Sequence, residues 1–248
     1  MVDVESAIHL DATGFAVMFL VVTVGAAIQG TIGFGANLLA APVLAVIEPE
    51  ALPATLMLLV FVLSVPMVLR ERHGVDWQAV RWLTIGRVPG TVIGALVVVA
   101  VTADTLSVLA GLAVLVAVAT SLMSATVPIT RATTIATGMA SGAMGTATSI
   151  GGPPIALLYQ HQEGPRLRPT LAAAFACGIV LSLAAVAMAG AVAGWHLALA
   201  LTLLPGTALG VVVSGRLTRL VDGAWLRPLV LAMAATVALV AVVRGLAA

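Results

Sequence analysis

Two stretches decide how this chain folds: Gly30-Thr31-Ile32-Gly33-Phe34-Gly35 and Gly145-Thr146-Ala147-Thr148-Ser149-Ile150-Gly151-Gly152-Pro153-Pro154. Each interrupts a long apolar segment, residues 15–47 and 129–159. A membrane-crossing helix needs about 20 apolar residues to span a hydrocarbon core about 30 Å thick. Both segments are too long for one crossing and too short for two. Glycine inside a helix costs about 1 kcal/mol against alanine, and proline about 3. Each segment is therefore expected to form two short helices meeting at a bend, a hairpin that enters and leaves on one side. Broken backbone is tolerated at membrane depth only where protein or a wet cavity covers it.

The composition makes lipid the solvent. Of 248 residues, 61% are hydrophobic and 8% charged, with a mean hydropathy of +1.18; soluble domains carry about 25% charged residues. Six further apolar stretches, 51–69, 79–101, 106–123, 170–189, 197–213 and 225–243, are each expected to form one helix. The net charge of +1, the absence of lysine and the lack of a basic, aromatic-interleaved patch argue against a nucleic-acid partner. Cys177 is the single cysteine, which excludes an internal disulfide and a cysteine metal cluster; within an apolar run it reads as a small buried hydrophobe. The first arginine is Arg70, so no positively charged signal-peptide leader is expected. The bias toward Ala, Val, Gly and Arg fits a high-GC bacterial genome.

The two broken segments are related. Adding 116 carries Gly35 to Gly151, Pro53 to Pro169, Pro89-Gly90-Thr91 to Pro205-Gly206-Thr207, and Gly94 to Gly210. A single gapless offset matching backbone-shaping residues in several segments implies a duplication, with residues 1–124 and 125–248 as two repeats of one membrane domain. If the broken segments return to their own side, Arg70, Arg72, Arg81, Arg131, Arg166, Arg168, Arg216, Arg219 and Arg227 share one face. Arg244 then joins Asp3, Glu5, Asp11, Glu48, Glu50 and Asp104 on the other. Positive residues mark the cytoplasmic side, which places both termini outside. Three full crossings per half invert the second repeat. The expected fold is an all-α integral membrane protein of two inverted repeats, each a glycine-broken hairpin plus three transmembrane helices, a common plan for secondary transporters.

The ten carboxylates fall in connectors or at segment ends, so neither paired-acid catalysis nor a buried proton relay has candidates. His9, His73, His161 and His196 lie near segment ends without metal-ligand spacing and read as interfacial. Trp77, Trp82, Trp195 and Trp225 read as interfacial anchors, and Pro66, Pro89 and Pro205 as helix kinks. What the interior offers is glycine, small hydroxyls and helix starts, whose free N–H groups favour anions. Pro153 and Pro154 suit the first turn of a half-helix, with Gly151, Gly152, Ser149, Thr148 and Thr146 around it. Gly33, Phe34, Gly35, Ala36, Asn37 and Gln29 are the corresponding group in the first half. The alternative is that these glycines only permit close helix packing. Arg87 is the one charge well inside a span; it is either functional or a side chain snorkelling to the interface. Its counterpart in the second half is Leu203.

The segments running from Gly30 to Pro42 and from Gly145 to Pro154, with the Pro89–Gly94 and Pro205–Gly210 repeats, resemble those of the TauE/SafE sulfite exporter family over nearly the whole chain. Ala36-Asn37 after Gly35 and Pro153-Pro154 depart from the denser glycine run common in that family. The resemblance implies a bacterial inner-membrane transporter of sulfite or an organosulfonate, a small anionic substrate as partner beside membrane lipids, no cofactor and no catalytic or metal site. A homodimer is compatible with it. The expected mechanism is alternating access, with the anion held between the bends by Gln29, Gly33, Phe34, Gly35, Ala36, Asn37, Arg87, Thr148, Ser149, Gly151, Gly152 and Pro153. An anion channel, a non-transporting membrane subunit and an intramembrane enzyme built on Ser149 or Ser141 are the alternatives; the last has no histidine in either hairpin interior.

Overall fold

The computed structural model describes residues 11–122, 127–160, 162, 164–220 and 226–247. Asp3, Glu5, His9, His161, Glu163, Asp222 and Trp225 lie outside the described residues, and of Arg219 and Arg227 only the backbone is described. In chain order the helices are α1 (Ala12–Ile32), α2 (Ala36–Ile47), α3 (Ala54–Glu71), α4 (Trp77–Ala100), α5 (Ala103–Leu122), α6 (Arg131–Thr148), α7 (Gly152–Tyr159), α8 (Gly164–Met188), α9 (Gly194–Leu220) and α10 (Leu226–Ala247). Each stretch expected to form one helix does so. Among the described residues, six helices (α1, α3, α4, α5, α8 and α9) are long and apolar enough to cross a membrane.

The breaks fall where the offset places them. Helix α1 ends at Ile32 and α6 at Thr148; α2 begins at Ala36 and α7 at Gly152. Gly33 (φ 104°) and Ser149 (φ 63°) both turn the chain in the left-handed region. The arms are unequal, however, which corrects the expectation of two short helices. Helix α1 has 21 residues and α2 only 12; α6 has 18 and α7 only 8. At 1.5 Å per residue a 20-residue helix is roughly 30 Å long, so the first arm is long enough to span. Caps set these starts ahead of the apolar runs. Asp11 accepts the Gly14 N–H at 2.7 Å, and Thr130 and Thr133 form a reciprocal capping box before α6.

Helix faces are apolar outside as well as inside. Helix α4 buries Gly86, Arg87, Gly90, Thr91 and Gly94, and turns Val88, Val92, Ile93, Leu96 and Val99 outward. A stripe of glycines four apart lets backbones approach closely. On α4, Gly86, Gly90 and Gly94 lie against the carbonyls of Ile135, Met139 and Ala143 on α6. In return Gly138 and Gly142 of α6 face the carbonyls of Leu83 and Arg87. The ascending register makes the two helices parallel. The other half repeats this with partners exchanged: Gly206 and Gly210 of α9 lie against Phe19, Thr23 and Ala26 of α1, and Gly30 against Ser214. Each bend leans on the opposite half. Gly33 lies against Arg168 at the start of α8, and the Ser149 hydroxyl donates to the Pro53 carbonyl at 2.7 Å, just before α3.

The helix ends sort as the charges do. Glu71 pairs with Arg70 at 3.0 Å and with Arg168 at 3.4 Å, and the Asp76 N–H donates to Thr170 at 3.0 Å. Arg81 and Arg131 both lie over the Trp82 ring, at 5.2 and 4.3 Å. At the far end Arg244 reaches the Val46 carbonyl (3.5 Å), and Gly245 lies beside Asp104. His196 is buried there, with its Nδ1 at 3.0 Å from the Ala193 N–H and its Nε2 at 3.1 Å from the Glu50 carbonyl, so both nitrogens are engaged. Two readings change. Cys177 is exposed, on the outer face of α8 with Val180, because an apolar outer face serves lipid as well as core. Glu48, though at a segment end, is only 3% exposed.

Gly90→Leu forces a side chain into the Met139 carbonyl, and overpacking of this kind costs about 1–3 kcal/mol or more. Thermal unfolding of purified protein is expected to show a clear loss for Gly90→Leu. Gly194→Ala, whose new methyl meets nothing within 4 Å, should leave the midpoint unchanged.

Candidate functional site

The bends enclose a cavity of about 40 Å³, more than the roughly 10–15 Å³ one water requires. Gln29, Phe34, Gly35, Asn37, Arg87, Ser149, Gly151, Gly152 and Pro153 line it, with Gly145, Ile150, Met57, Val60, Phe175 and Ile179. Three of the expected site residues turn elsewhere. Gly33 lies against Arg168, Ala36 closes on Gly25 while its N–H donates to Gln29 Oε1 at 3.2 Å, and the Thr148 hydroxyl donates to the Met144 carbonyl at 2.8 Å.

Donor by donor, the neutral groups are mostly committed. Asn37 Nδ2 donates to the Ser149 carbonyl at 2.8 Å, tying the two bends together. The Ser149 hydroxyl proton goes to Pro53, and Pro153 and Pro154 have no N–H to offer. Thr146 shares a hydrogen bond of 2.8 Å with Ser182. Because Gln29 Oε1 is fixed by the Ala36 N–H, its amide orientation is determined and Nε2 is left buried without a partner.

Arg87 supplies the rest. It is 4% exposed, which overturns the snorkelling alternative: its side chain crosses α6 toward α8 instead of rising to the interface. Nη1 contacts the Ser141 hydroxyl at 3.2 Å and Nη2 the Ser182 hydroxyl at 3.5 Å, while Nε has no partner. Gly178 on α8 and Gly145 on α6 are the notch that admits the guanidinium, since a Cβ on either would collide with it. Ser141 fixes the second bend as well, donating to the Gly151 carbonyl at 2.6 Å. Among the described residues, the arginine–carboxylate pairs are those of Arg70 and Arg168 with Glu71, neither involving Arg87. Sequence reasoning missed Ser141 as a ligand of Arg87, and also Ser182, Gly145 and Gly178. The one available signal was that Gly138, Gly142 and Gly86 extend a glycine-every-four stripe that seats α6 against α4.

Among the described residues no group of three or more His, Cys, Asp or Glu could hold a metal ion. A polytopic helical bundle with apolar outer faces, two broken helices and a small cavity of mixed polar and apolar lining between them is a membrane protein, and its family places it in the transporter class. The chain belongs to the sulfite exporter TauE/SafE family, whose model it matches over residues 17–241. Neither the curated proteins nor the solved structures include a match.

Ser149 is held at positive φ by its contacts, not by its own preference. Ser149→Ala keeps that φ but loses the hydrogen bond to Pro53, and a net hydrogen bond is worth about 1 kcal/mol. A fall in stability of that order, read by denaturant or thermal titration, is expected.

Proposed function

We propose that the protein is a secondary carrier that moves a small anion, sulfite or an organosulfonate, by alternating access, with the anion held between the two bends. The observation that carries this reading is Arg87, a guanidinium sealed from solvent, facing a cavity and matched to no carboxylate among the described residues. Charge buried at membrane depth is costly and tends to be functional, and a guanidinium suits a planar or pyramidal oxyanion. Gln29 Nε2 adds a second open donor on the same cavity. This shifts the weight from the neutral backbone cradle expected at first toward one cation helped by one amide. A cavity of about 40 Å³ favours an ion of few heavy atoms in this conformation.

We further read residues 1–124 and 125–248 as inverted repeats in the bacterial inner membrane, with the arginine-rich end cytoplasmic and both termini outside. The exchanged pairing of α4 on α6 and α9 on α1, and the common end of Glu71, Asp76, Arg168 and Thr170, support this. An inverted pair around a fixed site is the geometry that rocking between two access states requires.

Purified protein in proteoliposomes is expected to take up labelled sulfite with saturation and counterflow, which a channel would not show. Arg87→Gln should reduce flux on the order of 30-fold, equivalent to about 2 kcal/mol for a charge-assisted hydrogen bond, without loss of the folded protein. Gly35→Leu and Gly151→Leu should also abolish it. Unchanged flux in all three variants refutes the site.

A further inference from the structure

The central cavity adjoins others. Phe34 and Pro153, which wall it, also wall a second cavity of about 100 Å³ bounded by Ala156 and Leu167. Leu167 in turn walls a third, of about 480 Å³, which opens among His73, Asp76 and Arg166. The series widens toward the end that holds the Glu71–Arg168 pair. In the opposite direction the centre is tied shut by the bonds from Asn37 to the Ser149 carbonyl and from Ser149 to the Pro53 carbonyl.

We propose that solute passes between the central cavity and the arginine-rich end through these three spaces, with Phe34 and Leu167 as the two partitions that turn aside. This rests on the reading of the central cavity as the anion site. Phe34 is placed to move: it is half-buried between Gly33 and Gly35, both at positive φ, on the bend between α1 and α2. Gly152 stands opposite, where a Cβ would make ordinary contact with Phe34 at 3.5 Å. Leu167 is half-buried at the start of α8, one residue from the exposed Arg166 and from Arg168, whose pairing with Glu71 anchors that helix. At the mouth Arg166 attracts anions, while Asp76 opposes them less than a free carboxylate would. It accepts the Ala79 N–H at 2.9 Å at the N-terminus of α4, where helix dipole and carboxylate offset one another.

The test needs no transport assay. In a Cys177→Ala background, Ala156→Cys is placed in the second cavity, Arg72→Cys marks the arginine-rich side, and intact protein in sealed vesicles of either orientation meets a sulfonate-bearing methanethiosulfonate. Ala156→Cys is expected to react from the arginine-rich side on the order of tenfold faster than from the other, since attack requires a hydrated thiolate. Adding Leu167→Trp should slow it by a similar factor, and Phe34→Ala should leave it intact. Failure to react from the arginine-rich side, equal reaction from both, or indifference to Leu167→Trp overturns the route. Labelling as expected in a protein that does not move sulfite upholds the route and refutes the substrate.

Discussion

In hydrocarbon every backbone N–H and C=O must find its partner inside the protein, and a broken helix leaves several at each new end without one. The two bends create this problem at matching places, and the arrangement of neighbouring helices follows from how it is met. Gln29 takes the Ala36 N–H, Asn37 takes the Ser149 carbonyl, and Ser141 takes the Gly151 carbonyl. Each of these side chains sits on the cavity or beside it, so satisfying the backbone and shaping the site are one act. The glycine stripes serve the same end. By bringing α4 against α6 and α9 against α1 at backbone distance, they put protein where lipid would otherwise meet the breaks.

That close seam also fixes where the charge goes. Arg87 sits between Gly86 and Gly90 in register with Gly142, so its side chain leaves the seam in the direction of α8, over Gly145 and Gly178. An unpaired charge taken out of water is penalised by several kcal/mol even after relaxation, and two serine hydroxyls offset only part of this. On the proposed reading an anion supplies the remainder. The loaded cavity then holds a neutralised pair and the empty one a lone cation, so the two states differ in how tightly the helices around Arg87 are held.

Much of this was legible from residue types alone. The offset of 116 located both breaks, because glycine and proline at those positions answer the same backbone requirement in both segments. Composition identified the solvent. What could not be read was direction. Nothing in the pattern around Arg87 says whether a long side chain rises to the interface or crosses to α8; that depends on Gly178, ninety-one positions away (178 − 87 = 91). Nor could it be read that Ser149 would spend its proton on Pro53 instead of on a solute. Cys177 misled for a related reason, since in a membrane protein an apolar run does not separate the buried face from the lipid-facing one.

The match at an offset of 116 has its limit around Arg87. The counterpart of Arg87 is Leu203, fully buried; those of Ser141 and Ser182 are Gly25 and Pro66. A second guanidinium would find neither hydroxyl, and two like charges facing one small cavity would repel strongly in low dielectric. The backbone-shaping residues thus recur at the offset, and those around Arg87 do not. On the proposed reading, the matching pair of bends provides two ways to open, and the single arginine provides one place to bind. Alternating access asks for that combination, because the solute must keep its ligand while the surroundings exchange sides.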